Sequence, residues 1–179
     1  MRDDIELLRQ AHKNTNDTEA FEEILRKYER LIYHIARRYF QNPEDAMDAS
    51  QEAAIKIYNG IPRLTLPEGG NLKAWICTVT ANVCLDALRK RRPQTTELTE
   101  HTPTAPLPSA EENAAANERV SEILNAIKNL PDDHRMIIIL RDMQGLSYEE
   151  LAAALKLSPG TVKSRLSRAR GALKKLLEI

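Results

Sequence analysis

The sequence predicts an all-α protein: two small helical domains joined by a flexible, proline-rich linker, the second ending in a helix-turn-helix. Three observations carry this. Apolar residues recur at three-and-four spacing outside one segment, and no stretch alternates with the period of a strand. The exception, residues 93–109, holds Pro93, Pro103, Pro106 and Pro108, two acids and no basic residue, which is the composition of an extended linker. The chain then closes with a short capped helix, a three-residue break and a second capped helix. The expected divisions are 1–92, a linker at 93–114, and 115–179 with the helix-turn-helix at about 147–168.

The elements follow in order. A short helix is expected over Asp3 to Lys13. Phe21, Ile24, Leu25, Tyr28, Leu31, Ile32, Ile35 and Tyr39 set out the next, with Asp17 or Thr18 as its cap. Asn42-Pro43 stops it, and Glu44-Asp45 opens another with acid in its first turn. A loop at 59–71 leads to a helix from Leu72 to Arg92. After the linker, Ser109-Ala-Glu-Glu112 forms a capping box before a helix whose expected buried face is Val120, Ile123, Leu124 and Ile127. One helix is expected from Asp132 to Gln144, with Gly145 as its stop. Ser147-Tyr-Glu-Glu150 opens the first helix of the final pair; Ser158 caps the second, with Pro159 at its first position.

Composition narrows the function classes. The chain of 179 residues is 42% hydrophobic and 29% charged, which suits a folded protein and not a disordered one. No run of about eighteen apolar residues exists, and the polar N-terminus is no signal peptide, so the expected compartment is the cytoplasm, without membrane insertion. Cys77 and Cys84 share one helix, where seven residues at about 1.5 Å rise set their Cα atoms roughly 10 Å apart. A disulfide needs about 4.4–6.8 Å, so both are expected as reduced core thiols. No metal motif, glycine-rich phosphate loop or catalytic dyad is present, and neither an enzyme nor a cofactor is expected.

Charge is balanced overall but unevenly placed. Residues 1–92 carry 15 basic and 14 acidic groups, 93–115 carry 0 and 4, and 116–179 carry 11 and 8. Arg89-Lys90-Arg91-Arg92 is one basic cluster; residues 156–175 form another, with seven cations and no acid. Such clusters neutralise phosphates. In the last helix Val162, Leu166, Ala169, Leu173 and Leu176 make one buried stripe. That turns Thr161, Ser164, Ser167 and Arg168 outward, with Lys163 and Arg165 on the flanks. Hydroxyls and cations near a helix N-terminus are what base edges and phosphates require.

The run GLSYEELAAALKLSPGTVKSRLSRARGALKK closely resembles region 4 of sigma factors, and LPDDHRMIIILRDMQGLSYEEL resembles the half preceding it. DAMDASQEAAIKIY resembles the polymerase-binding helix of region 2, and NLKAWICTVTANVCLDALRKRR the helix that melts and reads the downstream promoter element. Two such motifs in family order, around a proline-rich linker, identify the chain as resembling the small extracytoplasmic-function (ECF) type of the sigma-70 family. Met47, Ala49 and Ser50, Thr80-Ala81-Asn82, and Leu72 depart from the family pattern.

The resemblance implies a transcription initiation factor that binds the β′ and β subunits of core RNA polymerase and promoter DNA. It implies an anti-sigma partner as well, able to hold the factor at the membrane. Polymerase binding falls on Asp45, Asp48, Gln51 and Glu52, and three-and-four spacing does align Asp45, Asp48 and Glu52 in one stripe opposite Ala46, Ala49, Ala53 and Ile57. Recognition of the −10 element falls on Asn82, Asp86, Arg89, Lys90, Arg91 and Arg92, with the 59–71 loop gripping a flipped base. Recognition of the −35 element falls on Thr161, Lys163, Ser164, Arg165, Ser167 and Arg168. Trp75 is expected in the core, stacking on an unpaired base being the alternative. A stand-alone helix-turn-helix regulator would leave the acidic helix and the 89–92 cluster without a role. A site-specific recombinase would need a strand-rich catalytic domain.

Overall fold

A computed structural model describes residues 3–13, 18–66, 70–91 and 114–177, with backbone only for residues 13, 91 and 114–117. The Asp17 cap, Arg92, the linker and the Ser109–Glu112 box lie outside the described residues. Eight α-helices are described: α1 (Asp4–Lys13), α2 (Thr18–Tyr39), α3 (Pro43–Gly60), α4 (Leu72–Arg91), α5 (Ala114–Lys128), α6 (Asp132–Ile138), α7 (Tyr148–Leu155) and α8 (Pro159–Leu177). No strand occurs among the described residues.

In the first half α2, α3 and α4 pack against one another, with α1 laid on α2. Ile24, Tyr28, Ile32, Ile35 and Tyr39 from α2 and Ala46, Ala49, Ala53 and Ile57 from α3 are all buried in the core that these packed helices share. The alanines let α3 approach closely, as their stripe predicts. Asn42 caps α3 by accepting from the Glu44 amide at 2.9 Å, with Pro43 at the first helical position. Asp4 fastens α1 by accepting from Lys27 Nζ and the Tyr28 hydroxyl, each at 2.6 Å.

Two expectations change in the second half. Val120 and Ile123 are 54% and 37% exposed; among its described side chains, α5 is buried near its end, through Ala126 and Ile127, with Leu130 following. The single helix expected from 132 to 144 divides into α6 and a π-helical turn, Ile139–Met143, where Gln144 donates to the Ile139 carbonyl. Met136 through Leu140 are all buried, and no single face of a helix holds five consecutive residues. They are covered all round because α8 packs on one side and α2 on the other. Gly145 ends the element at φ 80°, so its lack of a Cβ is needed, and the Leu146 amide donates back to Leu140 O at 3.1 Å.

The two halves are in contact. α4 packs on α7, and the end of α2 packs on α5, α6 and the π turn, so the apolar core is continuous across both. A linker long enough to separate them is here compatible with close packing.

Candidate nucleic-acid interface

The helix-turn-helix is built from local signals. Ser147 Oγ accepts from the Glu150 amide at 3.1 Å while the Glu150 carboxylate accepts from the Ser147 amide at 2.7 Å, a reciprocal capping box that starts α7. Lys156, at φ 54°, turns the chain out of α7. Ser158 then caps α8, its hydroxyl accepting from the Thr161 amide at 3.2 Å. Val162, Leu166 and Ala169 are fully buried, which fixes the rotation of α8 about its axis. Leu173 is half-buried and Leu176 exposed, so the stripe fades toward the C-terminus.

That rotation leaves Lys163, Ser164, Ser167 and Arg168 exposed and Thr161 half-buried. Arg168 lies along its own helix, its Nε donating to Ser164 O at 3.3 Å and its terminal nitrogen to Ser164 Oγ at 3.4 Å. The pair thus forms one polar surface unit. Arg165 is half-buried and paired with Asp133 of α6 at 3.1 Å. Arg170 forms a two-point pair with Asp142, one arm at 3.1 Å. It braces α8 against the π turn.

On α4, Asn82 and Asp86 are half-buried and Arg89 and Lys90 exposed. Asp86 accepts from Arg89 at 3.4 Å, the arginine-orienting role its spacing suggests. The backbone of Arg91 ends the helix. Trp75 is half-buried against the core, and its ring presses on Gly60, where a Cβ would come within 2.9 Å. It packs as a core residue. Cys77 and Cys84 are buried free thiols, and no metal-ligand cluster occurs among the described residues.

On α3, Asp48 and Gln51 are exposed, and Asp45 and Glu52 half-buried. Glu52 pairs with Lys56 at 2.8 Å; that hydrogen bond, with the charges of Lys56 and Lys90, holds its carboxyl below the usual range. Next to this stripe, α2 and α3 form an open groove of about 570 Å³, floored by Leu25, Ile32, Tyr33, Met47 and Ala54 and also lined by the charged Glu22, Arg26 and Glu29. Sequence reasoning missed this groove. Met47, 49% exposed and already out of step with the family pattern, was its one visible signal.

Two family models match in order, Sigma-70 region 2 over residues 24–94 and Sigma-70, region 4 over residues 121–173. The ECF RNA polymerase sigma factor SigM of Mycobacterium tuberculosis is 33% identical over 98% of this chain and 85% of its own length. The ECF RNA polymerase sigma-E factor of Escherichia coli K12 is 31% identical over 88% and 86%. Among solved structures, the sigma factor RpoE of Bartonella quintana, in complex with the anti-sigma factor NepR, is 28% identical with a TM-score of 0.70, covering 89% of this chain and 97% of that one. CnrH, solved with the cytosolic domain of CnrY, shares the fold at 23% identity and a TM-score of 0.68, covering 98% and 97%. An all-helical chain with an acidic helix, a basic-ended helix and a terminal helix-turn-helix is thus a promoter-specific transcription initiation factor of the sigma-70 class. Within that class, the chain belongs to the ECF sigma factors.

Proposed function

We propose that this ECF factor binds core RNA polymerase through Asp45, Asp48, Gln51 and Glu52 on α3. Thr161, Lys163, Ser164, Arg165, Ser167 and Arg168 then read the −35 duplex. Asn82, Asp86, Arg89, Lys90, Arg91 and Arg92 capture the −10 strand as it melts, binding energy alone driving the separation. The observation that carries this reading is α8. Its apolar stripe is buried while Lys163, Ser164, Ser167 and Arg168 face out, and residues 156–175 hold no acid. A recognition helix lying in a major groove needs such a face.

The related sigma factor solved with NepR supports an anti-sigma partner for this chain as well. A factor that works beside polymerase would act in the cytoplasm; among the described residues no helix is long and apolar enough to cross a membrane. The test combines purified chain and core polymerase on a promoter library. Specific transcripts are expected. Tight duplex binding by the chain alone, with no specific transcript from any promoter, would make it a stand-alone regulator instead.

A further inference from the structure

The cations of α8 divide by what they are bonded to. At about 100° per residue, Arg165 and Arg170 flank the buried stripe of Val162, Leu166 and Ala169 on either side, and each meets an acid from outside the helix. Arg170 forms its two-point pair with Asp142 of the π turn. Arg165 Nη1 lies 3.1 Å from Oδ2 of Asp133, in the first turn of α6. Lys163 and Arg168, farther round, are exposed, and Arg168 bonds Ser164 of its own helix.

The Arg165–Asp133 pair is a single contact at the edge of the surface, its side chains 28% and 62% exposed. Arg165 stands on the shoulder of α8, where the phosphates of a groove-docked helix run. A phosphate that reached it would therefore meet the carboxylate as well. Either the pair opens, and one anion merely replaces another, or it stays closed, and two anions share one cation. Both courses cost affinity, because a cation already neutralised within the protein displaces few counterions from DNA. Nor does α6 depend on Asp133 alone to complement its dipole. Asp132 is a second acid in that first turn, 3.5 Å from the buried Arg135.

We propose that Asp133 is a built-in competitor for Arg165, which lowers the sequence-independent part of the chain's affinity for duplex DNA. The recognition helix then grips phosphate less strongly than its count of basic residues implies. This rests on the promoter-binding reading above, and adds to it a residue from outside the recognition helix.

The experiment titrates the full-length chain against a fluorescein-labelled, random-sequence 20-base-pair duplex over about 50–200 mM salt, with circular dichroism melts as the fold check. Asp133→Asn should steepen the fall of log K with log salt by about 0.9 unit and tighten binding about five- to tenfold near 0.1 M salt. Asp133→Glu keeps the carboxylate and should keep the wild-type slope. Glu118→Gln removes the same charge from an exposed position on α5 and should also keep it, which separates local competition from net charge. Adding Arg165→Met to Asp133→Asn should remove the gain. A slope that Asp133→Asn leaves unchanged or makes shallower would overturn the proposal, as would a gain that survives Arg165→Met or is matched by Glu118→Gln. Lys163→Ala separates the two readings. If it flattens the slope while Asp133→Asn does nothing, the competition alone fails. If it too leaves the slope as in wild type, α8 does not lie on the DNA, and the promoter-binding reading falls with the proposal.

Discussion

At the residue scale, the proposed docking of α8 assigns base reading and phosphate attraction to different side chains. Arg168 and Ser164 form one outward polar unit opposite the buried stripe, whereas Lys163 is exposed on the shoulder. Arg168→Ala should cost about 1–3 kcal/mol and relax preference at one base pair, while Lys163→Ala should weaken all sequences alike and flatten the salt slope by about one unit. Titrations of wild-type and single-base-changed promoter DNA over a range of salt check this; uniform losses from both would mean the helix docks otherwise. Arg165 is a different case, since its pair with Asp133 must break or share before it can meet a phosphate. The cysteines make a prediction about pH. Burial pushes Cys77 up to about 11 and Cys84 up to about 12, from an ordinary 9.0. Both folded-state values lie above the unfolded one, so the folded chain keeps protons that the unfolded chain releases. The stability they contribute is present in full below pH 9 and lost as pH rises through 11 and 12. Burial pushes Tyr28 and Tyr39 upward as well, which adds to the loss. Thermal melting should fall steadily from pH 9 to 11; a flat profile there would contradict this burial.

At the element scale, most of the structure was legible because its signals are local. The Ser147–Glu150 box, the Asn42-Pro43 entry, the Ser158-Pro159 start and the Gly145 stop each act over a few residues. Losing the first should be measurable: Ser147→Ala should destabilise the second half by about 1 kcal/mol in denaturant melts. The misread elements depended on what covers them. Val120 and Ile123 keep helical spacing, but among the described side chains of α5 the buried ones, Ala126 and Ile127, lie near its end, so the apolar face runs past its cover. The π turn follows an unbroken apolar run, where periodicity carries no information about which side faces what. Two glycines offer a contrast. Gly60 sits against the Trp75 ring, so Gly60→Ala must displace it and should cost about 1–3 kcal/mol, with a change in tryptophan fluorescence. Gly160 has open space around its Cβ position in the first turn of α8. Gly160→Ala should be neutral or stabilise by about 0.4–1 kcal/mol.

At the scale of the whole molecule, the seam between the halves was beyond reach of the sequence. It includes a hydrogen bond from Arg135 to a carbonyl 96 residues away, which neither residue type nor spacing announces. The site residues were legible as types and positions; which of them stay accessible was not. Asp48 and Gln51 are exposed and the groove beside Met47 is open, while on α4 Asn82 and Asp86 are half-buried and Arg89 and Lys90 exposed. Asp48→Arg with Glu52→Arg tests the proposed polymerase contact. Both positions are exposed or half-buried, so the fold should lose no more than about 0.5 kcal/mol at each. The Glu52–Lys56 pair given up is worth roughly 0.3–0.5 kcal/mol. Affinity for core polymerase should nevertheless fall by about tenfold or more, as reversed charges in an interface cost several kcal/mol. Single-stranded DNA binding by the free chain should not fall, since both substitutions add positive charge and Asp48 and Glu52 share a pocket with Lys90 of α4. Unchanged affinity for core polymerase, with folding intact, would move the docking surface off the acidic stripe and onto the apolar groove beside it.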